Sequence, residues 1–519
     1  MRPTLALMAL LLSASAWAID LTPEEARGQR VYREGVGASG EPIIARVGRE
    51  GTEVPASAVP CGGCHGRDGR GRPEGGVEPP PVTWSYLTKG YGHEHAFGRR
   101  HPAFTAETLG RSIAEGVDPA GNPLNVAMPR YAMSAADMAD LIAYLKRLES
   151  DLDPGLGDSV LRVGTLLPSD GPLGDLGQAM RAVLEAYFAE VNAAGGIHGR
   201  RLELVVVPLP DTAAARNESV SGLIGGDVFA LVSPFTTGVE GEAARLADAS
   251  RVPVVGPFTL FPEPGAETGR YSFYLFPGLP GEARALVEYA AGHLALKNPS
   301  LAVLHPEGDE YTPVVEAIVS QAARHGWQRV QSVAFTPGAF DLGGRAAAQA
   351  QAGVEVILLL GGREGLASFV DGLRNAGARP FLMLPGSLAS EAVLGAAEYL
   401  GDRVYLAFPT LPSDQAGPGL LAFRGLQESQ GLPRRHLAAQ TSAYAAAEVL
   451  VEALKRSGRD VSRESLLQAL ERLVDFHTGV TPAVTYGPLR RVGVLGAHIV
   501  GLDPQSRAFR PTGVWVSLE

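Results

Sequence analysis

Residues Val59–Gly71 read VPCGGCHGRDGRG, and the folding of the N-terminal part of the chain turns on them. Cys61 and Cys64 are the only cysteines in 519 residues, and His65 follows at once. C-x-x-C-H is the attachment signature of c-type haem. Two thiols add across two haem vinyl groups, so their spacing must match the porphyrin edge, and the adjacent histidine reaches the iron. Other uses of the pair fit less well. A structural zinc needs four protein ligands, and no further cysteine exists. A catalytic dithiol favours a thioredoxin-like strand–turn–helix setting, which this region lacks. A disulfide here would close a very small loop and stabilise little.

The N-terminus places the pair in an oxidising compartment. Arg2, the apolar run Leu5 to Leu12 and Ala16-Trp17-Ala18 form a secretory signal over residues 1–18, with cleavage expected after Ala18. The run is too short to span a bilayer, and no later segment is long enough either. The alternative is an uncleaved N-terminal anchor. Export, solubility and a periplasmic location are therefore expected. The formal net charge of −11 disfavours nucleic acid as a partner. Apolar content of 45% and charged content of 19% are those of a globular chain.

Outward from the motif, Thr22-Pro23-Glu24-Glu25 opens a helix with a hydroxyl cap, proline in its first turn and acids behind it. It should run to about Glu34. A second helix is expected after Ser134, with Asp137 three residues later as in a capping box. Met138, Leu141, Ile142, Leu145 and Leu148 share one of its faces. The acidic, Pro- and Gly-containing stretch ESDLDPGLGDS, Glu149 to Ser159, reads as a linker.

From Leu21 to Leu148 the chain resembles class I cytochrome c, on CGGCHGRDGRG and GVDPAGNPLNVAMPRYAMSAADMADLIAYL. The resemblance implies a small all-α domain over 19–149 with one haem c. Cys61 and Cys64 would attach it, and His65 and Met128 would be its axial ligands. Met133, His93, His95 and His101 are competitors for Met128. Pro79, Pro80 and Pro81 are candidates for the carbonyl that holds the proximal imidazole. A filled coordination shell implies electron transfer, with a periplasmic redox partner protein, and not catalysis at iron. Gly35 to Pro60 departs from the family as a long insertion.

Past a linker at 150–160, strand-like runs alternate with Ala-rich helical stretches: LRVGTLLP, LELVVVP, VFALVS, VPVVG and YSFYLF, then LAVLHP, VQSVAF, VEVILLLGG, PFLMLPG and RVYLAFP. Buried strands separated by helices predict parallel sheets in two α/β lobes. The region 161–519 resembles periplasmic substrate-binding proteins of the leucine/isoleucine/valine type, above all on the turn from Asn192 to Glu203, NAAGGIHGRRLE. The resemblance implies a type I periplasmic-binding-protein fold with flavodoxin-like sheets. Its lobes should cover about 161–277 and 278–408, with the remainder crossing between them.

A small organic solute, an amino acid or carboxylate-like compound, should sit beyond the strand C-termini. Thr236, Thr237, Phe258 and Thr259 match the family's contact pairs, whose hydroxyls and nearby N–H groups hold a ligand carboxylate. Ser169 falls at the same sheet end. Gly386 and Ser387 stand where an acid usually pairs with the ligand ammonium, and Arg363 where an aromatic side chain is common. A ligand lacking an amino group, read by Arg363, is the expectation. No phosphate loop, nucleophile elbow or zincin motif occurs, and His198, His293, His325 and His436 show no metal spacing. The leading reading is a mono-haem electron carrier fused to a solute-binding module. The alternatives are a receptor for an ABC permease with an accessory haem, and a haem-linked oxidoreductase acting on the bound solute.

Overall fold

The computed structural model describes residues 21–71, 76–95, 98–210, 212–263, 269–336, 342–361, 365–503, 505–506 and 508–518. The segment read as a secretory signal and the candidate Arg363 lie outside them. The chain divides into two compact units, Met1–Leu152 and Asp153–Glu519. No helix among the described residues is long and apolar enough to cross a membrane.

The first unit is built on two helices, Pro23–Glu34 and Ala135–Arg147. Thr22 and Glu25 cap the first reciprocally, Thr22 N–H donating to Glu25 at 2.8 Å and Glu25 N–H to the Thr22 hydroxyl at 3.2 Å. It stops at Gly35, whose φ of 69° needs no β-carbon. The helices meet backbone to backbone at Gly28, where a β-carbon would lie 1.9 Å from the Asp140 carbonyl oxygen. Tyr32 and Tyr144 pack beside that contact with ring centroids 5.7 Å apart, and both are fully buried.

The insertion after the first helix folds as a hairpin, Ile44–Val47 with Thr52–Pro55. Its first strand also pairs antiparallel with Arg130–Ala132. The helical domain thus carries a three-stranded sheet, order Thr52–Pro55, Ile44–Val47, Arg130–Ala132. The second helix is capped by Ser134, which accepts from the Asp137 N–H. Asp137 does not complete the expected capping box. Its buried carboxylate accepts from the Ala38 N–H at 2.8 Å and from the Ser39 N–H and hydroxyl. The carboxylate also accepts from the Ser134 hydroxyl at 2.7 Å, so it joins the cap side chain to the insertion.

The stretch read as a linker is taken up by the two units. Asp151 accepts from Arg33, Gln29 and Tyr144 in the first. In the second, Asp153 accepts from the Arg463 N–H and Gly155 donates to Asp227.

The second unit has two lobes. The first holds a parallel five-stranded sheet in the order Ser272–Phe273, Val254–Val255, Ala230–Val232, Val160–Pro168, Arg201–Leu209. The second holds seven strands in the order Val330–Phe335, Leu301–Pro306, Val356–Leu359, Phe381–Pro385, Val404–Phe408, Gly496–Asp503, Ala508–Ser517. The first five are parallel and the last two antiparallel. Strand Leu301–Pro306 shows why a continuous apolar run is needed. Leu301 and Val303 enter the core on one face, and Ala302 and Leu304 the core on the other.

The remainder after 408 does more than cross. Helices Leu437–Arg456 and Arg463–Glu471 bury their apolar faces in the first lobe's core, and the two C-terminal strands extend the second lobe's sheet. Here helices follow helices and then strand follows strand, so this part does not repeat the strand–helix alternation that marks the lobes.

Candidate functional site

The first candidate site begins with a five-residue helix, Cys61–His65. Gly62 faces Tyr32, with room for a β-carbon 3.4 Å from the ring. The Tyr32 hydroxyl donates to the Gly66 carbonyl at 2.7 Å, and the Tyr131 hydroxyl to the Val59 carbonyl at 2.6 Å. The motif is held from both ends. Beyond it the chain folds back on itself: Gly71 N–H donates to the His65 carbonyl at 2.8 Å and Val82 N–H to Gly69 at 2.7 Å. Gly71, at φ +89°, lets the Pro79 carbonyl approach so closely that a β-carbon would sit 2.0 Å from its oxygen. This fold-back brings the Pro80 carbonyl oxygen to 3.0 Å from His65 Nδ1. Of the three prolines, it is Pro80 whose oxygen meets the imidazole.

A carbonyl only accepts, so Nδ1 carries the proton and the lone pair lies on Nε2. Burial holds the His65 pKa below its ordinary value and keeps the ring neutral. Nε2 has no hydrogen-bond partner among the described residues. Burial also pushes the Cys61 thiol up to about 12. A thiol held protonated is a poor nucleophile, which counts against a catalytic dithiol.

Met128 sits in a loop built on a buried carboxylate. Asp118 is fully buried and accepts from the Ala120 and Asn122 N–H groups, both at 2.9 Å, and from Arg99 at 2.9 Å. The Arg130 guanidinium, missed in the sequence reading, donates to the Leu124 carbonyl at 3.1 Å and to the Met128 carbonyl. Met133 and Met138 pack against the domain core, whereas Met128 does not. His93, His95 and His101 stack on one another at ring separations of 4.9 to 6.0 Å. His95 and His101 face each other with Nε2 atoms 2.9 Å apart, and His93 Nε2 meets the Leu87 carbonyl. Burial and the Arg99 charge push His95 down to about 4.

The donor set therefore fits haem c. It has two thiols within one helical turn, a neutral imidazole with its Nε2 lone pair unused, and a thioether outside the packed core. Cys61, Cys64, His65 and Met128 are the residues that would hold the group, with Pro80 orienting the imidazole.

The second candidate site is at the C-terminal ends of neighbouring strands in the first lobe of the second unit. Phe235 and Phe258 bridge the strand ends, with rings stacked 5.8 Å apart. That pairing has the Thr236 N–H donate to the Phe258 carbonyl at 3.1 Å, but the buried Thr236 lines an interior hollow with Leu166 and Val220, apart from the cavity that Thr237 lines. Ser169 is not brought to them. It is exposed, its hydroxyl donates to Asp170, and it lines a separate hollow with Gln178 and Arg181.

Thr237, Glu240 and Phe261 from the first lobe and Glu310 from the second line a cavity of about 470 Å³. Phe261 meets Tyr311 of the second lobe edge to face at 5.3 Å. Two residues here were not singled out from sequence. Glu240, the first residue of helix Glu240–Ser250, takes the Thr259 hydroxyl proton at 2.6 Å and the Gly238 N–H at 2.8 Å. Glu282 is fully buried and accepts from the N–H and hydroxyl of Ser387. The place expected to lack an acid thus has one, contributed by helix Gly278–Gly292, but facing the core. Burial pushes the Glu282 carboxyl up to about 7.

Comparison with known proteins agrees with both halves. Residues 54–149 match the family model for cytochrome c. Residues 160–493 match the model for periplasmic binding protein. A Leu/Ile/Val-binding protein homologue from Brucella melitensis is 23% identical over 60% of this chain and 83% of its own length. The structure resembles a branched-chain amino acid ABC transporter protein from Thermus thermophilus crystallised with valine (TM-score 0.56, 18% identity, 70% of this chain and 97% of that one). It also resembles a fatty acid ABC transporter substrate-binding protein from Thermomonospora curvata (TM-score 0.53, 20% identity, 71% and 93%). At these identities the structural likeness concerns the fold. The chain belongs to the periplasmic binding protein family and carries a cytochrome c domain ahead of its solute-binding module.

Proposed function

We propose that this protein is an exported, periplasmic electron carrier with one covalently attached haem c, joined to a module that binds a small organic solute in its interlobe cleft. The observation that carries the first half is the buried His65 imidazole, oriented by Pro80 and presenting Nε2 within a C-x-x-C-H helix. Haem, when bound, supplies one-electron chemistry at iron. The polypeptide supplies thioether anchors at Cys61 and Cys64, axial donors at His65 and Met128, and a loop pinned by Arg130 and Asp118. With His65 and Met128 both engaged, the iron would pass electrons and would not take the solute as a ligand.

The test is spectroscopic. Protein matured in cells competent for c-type attachment is expected to show a haem optical spectrum with the methionine-ligation signature. Met128→Ala should abolish that signature, and Met133→Ala should leave it. A signature that survives Met128→Ala and disappears with a variant of His93, His95 or His101 would reassign the ligand.

A receptor role for an ABC permease is favoured by the named transport function of the relatives. Solute titration against the haem potential separates the readings. A shift marks a ligand-regulated carrier, no shift marks a plain receptor, and direct haem reduction by solute marks an oxidoreductase.

A further inference from the structure

We propose that the solute taken by the second unit presents a protonated amine, not a carboxylate, to the Thr237–Glu240 end of the cleft, and that Glu240 sets this preference. The inference rests on the solute-binding reading above and names the class of solute. A hydroxyl has one proton. Thr259 gives its proton to Glu240 at 2.6 Å, while its oxygen accepts from the Phe261 N–H at 3.0 Å. The neighbouring Gly238 N–H also goes to Glu240. Two donors that would otherwise face an anion at this helix start are thus occupied by an internal carboxylate.

What the cavity presents instead is negative and aromatic: Glu240 and Glu310, with the Phe261 ring, while Glu242 lines it already paired with Arg245. Glu263 adds to this, with carboxylate oxygens 3.3 Å from where a Gly241 β-carbon would be. Among the described residues, Arg216 and Arg245 each already hold hydrogen bonds within the chain. Arg216 donates to the Pro210 carbonyl at 2.7 Å and the Thr237 carbonyl at 3.4 Å. Arg245 pairs with Glu242 at 2.6 Å. A solute carboxylate at this end would meet Glu240 at close range in a half-buried setting, whereas an ammonium would be paired by it and by the face of Phe261. Burial and the nearby Glu263 charge raise the Glu240 pKa, the stress that a bound cation relieves.

The experiment uses the full-length holoprotein and three probes sharing one branched alkyl group: 3-methylbutylamine, 4-methylpentanoate and L-leucine. Calorimetry on the wild type should show the amine binding at least about tenfold more tightly than 4-methylpentanoate. Glu240→Gln, which removes the charge and keeps one of the two acceptances through its single amide oxygen, should narrow that ratio by about tenfold. The inference is overturned if 4-methylpentanoate binds the wild type as tightly as the amine, if Glu240→Gln leaves the ratio unchanged, or if none of the probes binds. Thr237→Trp, which fills the cavity, separates the two levels. Probe binding that it leaves untouched defeats the cleft reading itself. Carboxylate-preferring binding that it abolishes keeps the cleft and discards the amine.

Discussion

At the scale of single residues, the structure shows how one atom decides what another can do. The Pro80 carbonyl orders the tautomer of His65. The Arg130 guanidinium holds the Met128 loop by its carbonyls. Arg130→Ala should leave haem attachment intact while lowering the temperature at which methionine ligation is lost, read as the optical signature on heating, and Arg130→Lys should recover only part of it because one ammonium cannot span the same carbonyls.

Glu282 gives a pH prediction. Its carboxyl titrates at about 7 in the folded state against an ordinary 4.5, so the folded protein binds the proton more tightly than the unfolded chain. Its contribution is full below pH 4.5, declines as pH rises, and is lost above 7, amounting to about 3 kcal/mol. Glu282→Gln should flatten the fall in unfolding temperature over that window and raise stability at pH 8. An unchanged slope would show that the pH dependence comes from elsewhere.

Cys61, Cys64 and His65 could be read as candidates from sequence because a covalent motif has fixed spacing, whereas Met128 entered only through the family resemblance. The choice of Pro80 over Pro79 and Pro81 was not legible, since it depends on a fold-back around Gly71. Glu240 and Glu282 were not legible either. A glutamate in a helix reads as a solvated face until the strand end or loop it meets is known.

At the scale of elements, the clearest sequence features were those whose physics is local. Thr22, Pro23 and Glu25 announce a helix start, and the apolar runs of the second unit announce buried parallel strands. What stayed hidden depends on partners far along the chain. The Gly35–Pro60 insertion has short, Gly- and Pro-flanked strands that pair as a hairpin, and Arg130–Ala132 extends it to three strands. It thereby braces the segment next to Met128. Ala45 is fully buried and pairs with Tyr131. Ala45→Pro should break that ladder and weaken methionine ligation without preventing attachment, measured as the signature's midpoint in a denaturant titration.

The helix pair makes a sharper test. Gly28→Ala places a β-carbon where the Asp140 carbonyl already sits, so the helices must separate, destabilising the first unit by roughly 2 kcal/mol. Thermal unfolding followed at the haem should shift, while the transition of the second unit should not.

At the scale of the whole molecule, the chain joins two compact units of different families, one matching cytochrome c and the other periplasmic binding protein. Their division was visible in the change of texture near residue 150. The contribution of residues 417–517 to both lobes was not, because the chain returns to sheets and cores it had already left. The claim on which the whole account rests is that the polypeptide carries one haem on Cys61 and Cys64. Intact mass together with the absorption spectrum of the mature protein, made where c-type attachment operates, tests it most directly. The account predicts a mass gain of one haem that survives denaturation, accompanied by a Soret band, and the loss of both in a Cys61→Ala/Cys64→Ala variant. A mature wild-type protein with free thiols, no mass gain and no Soret band would contradict it.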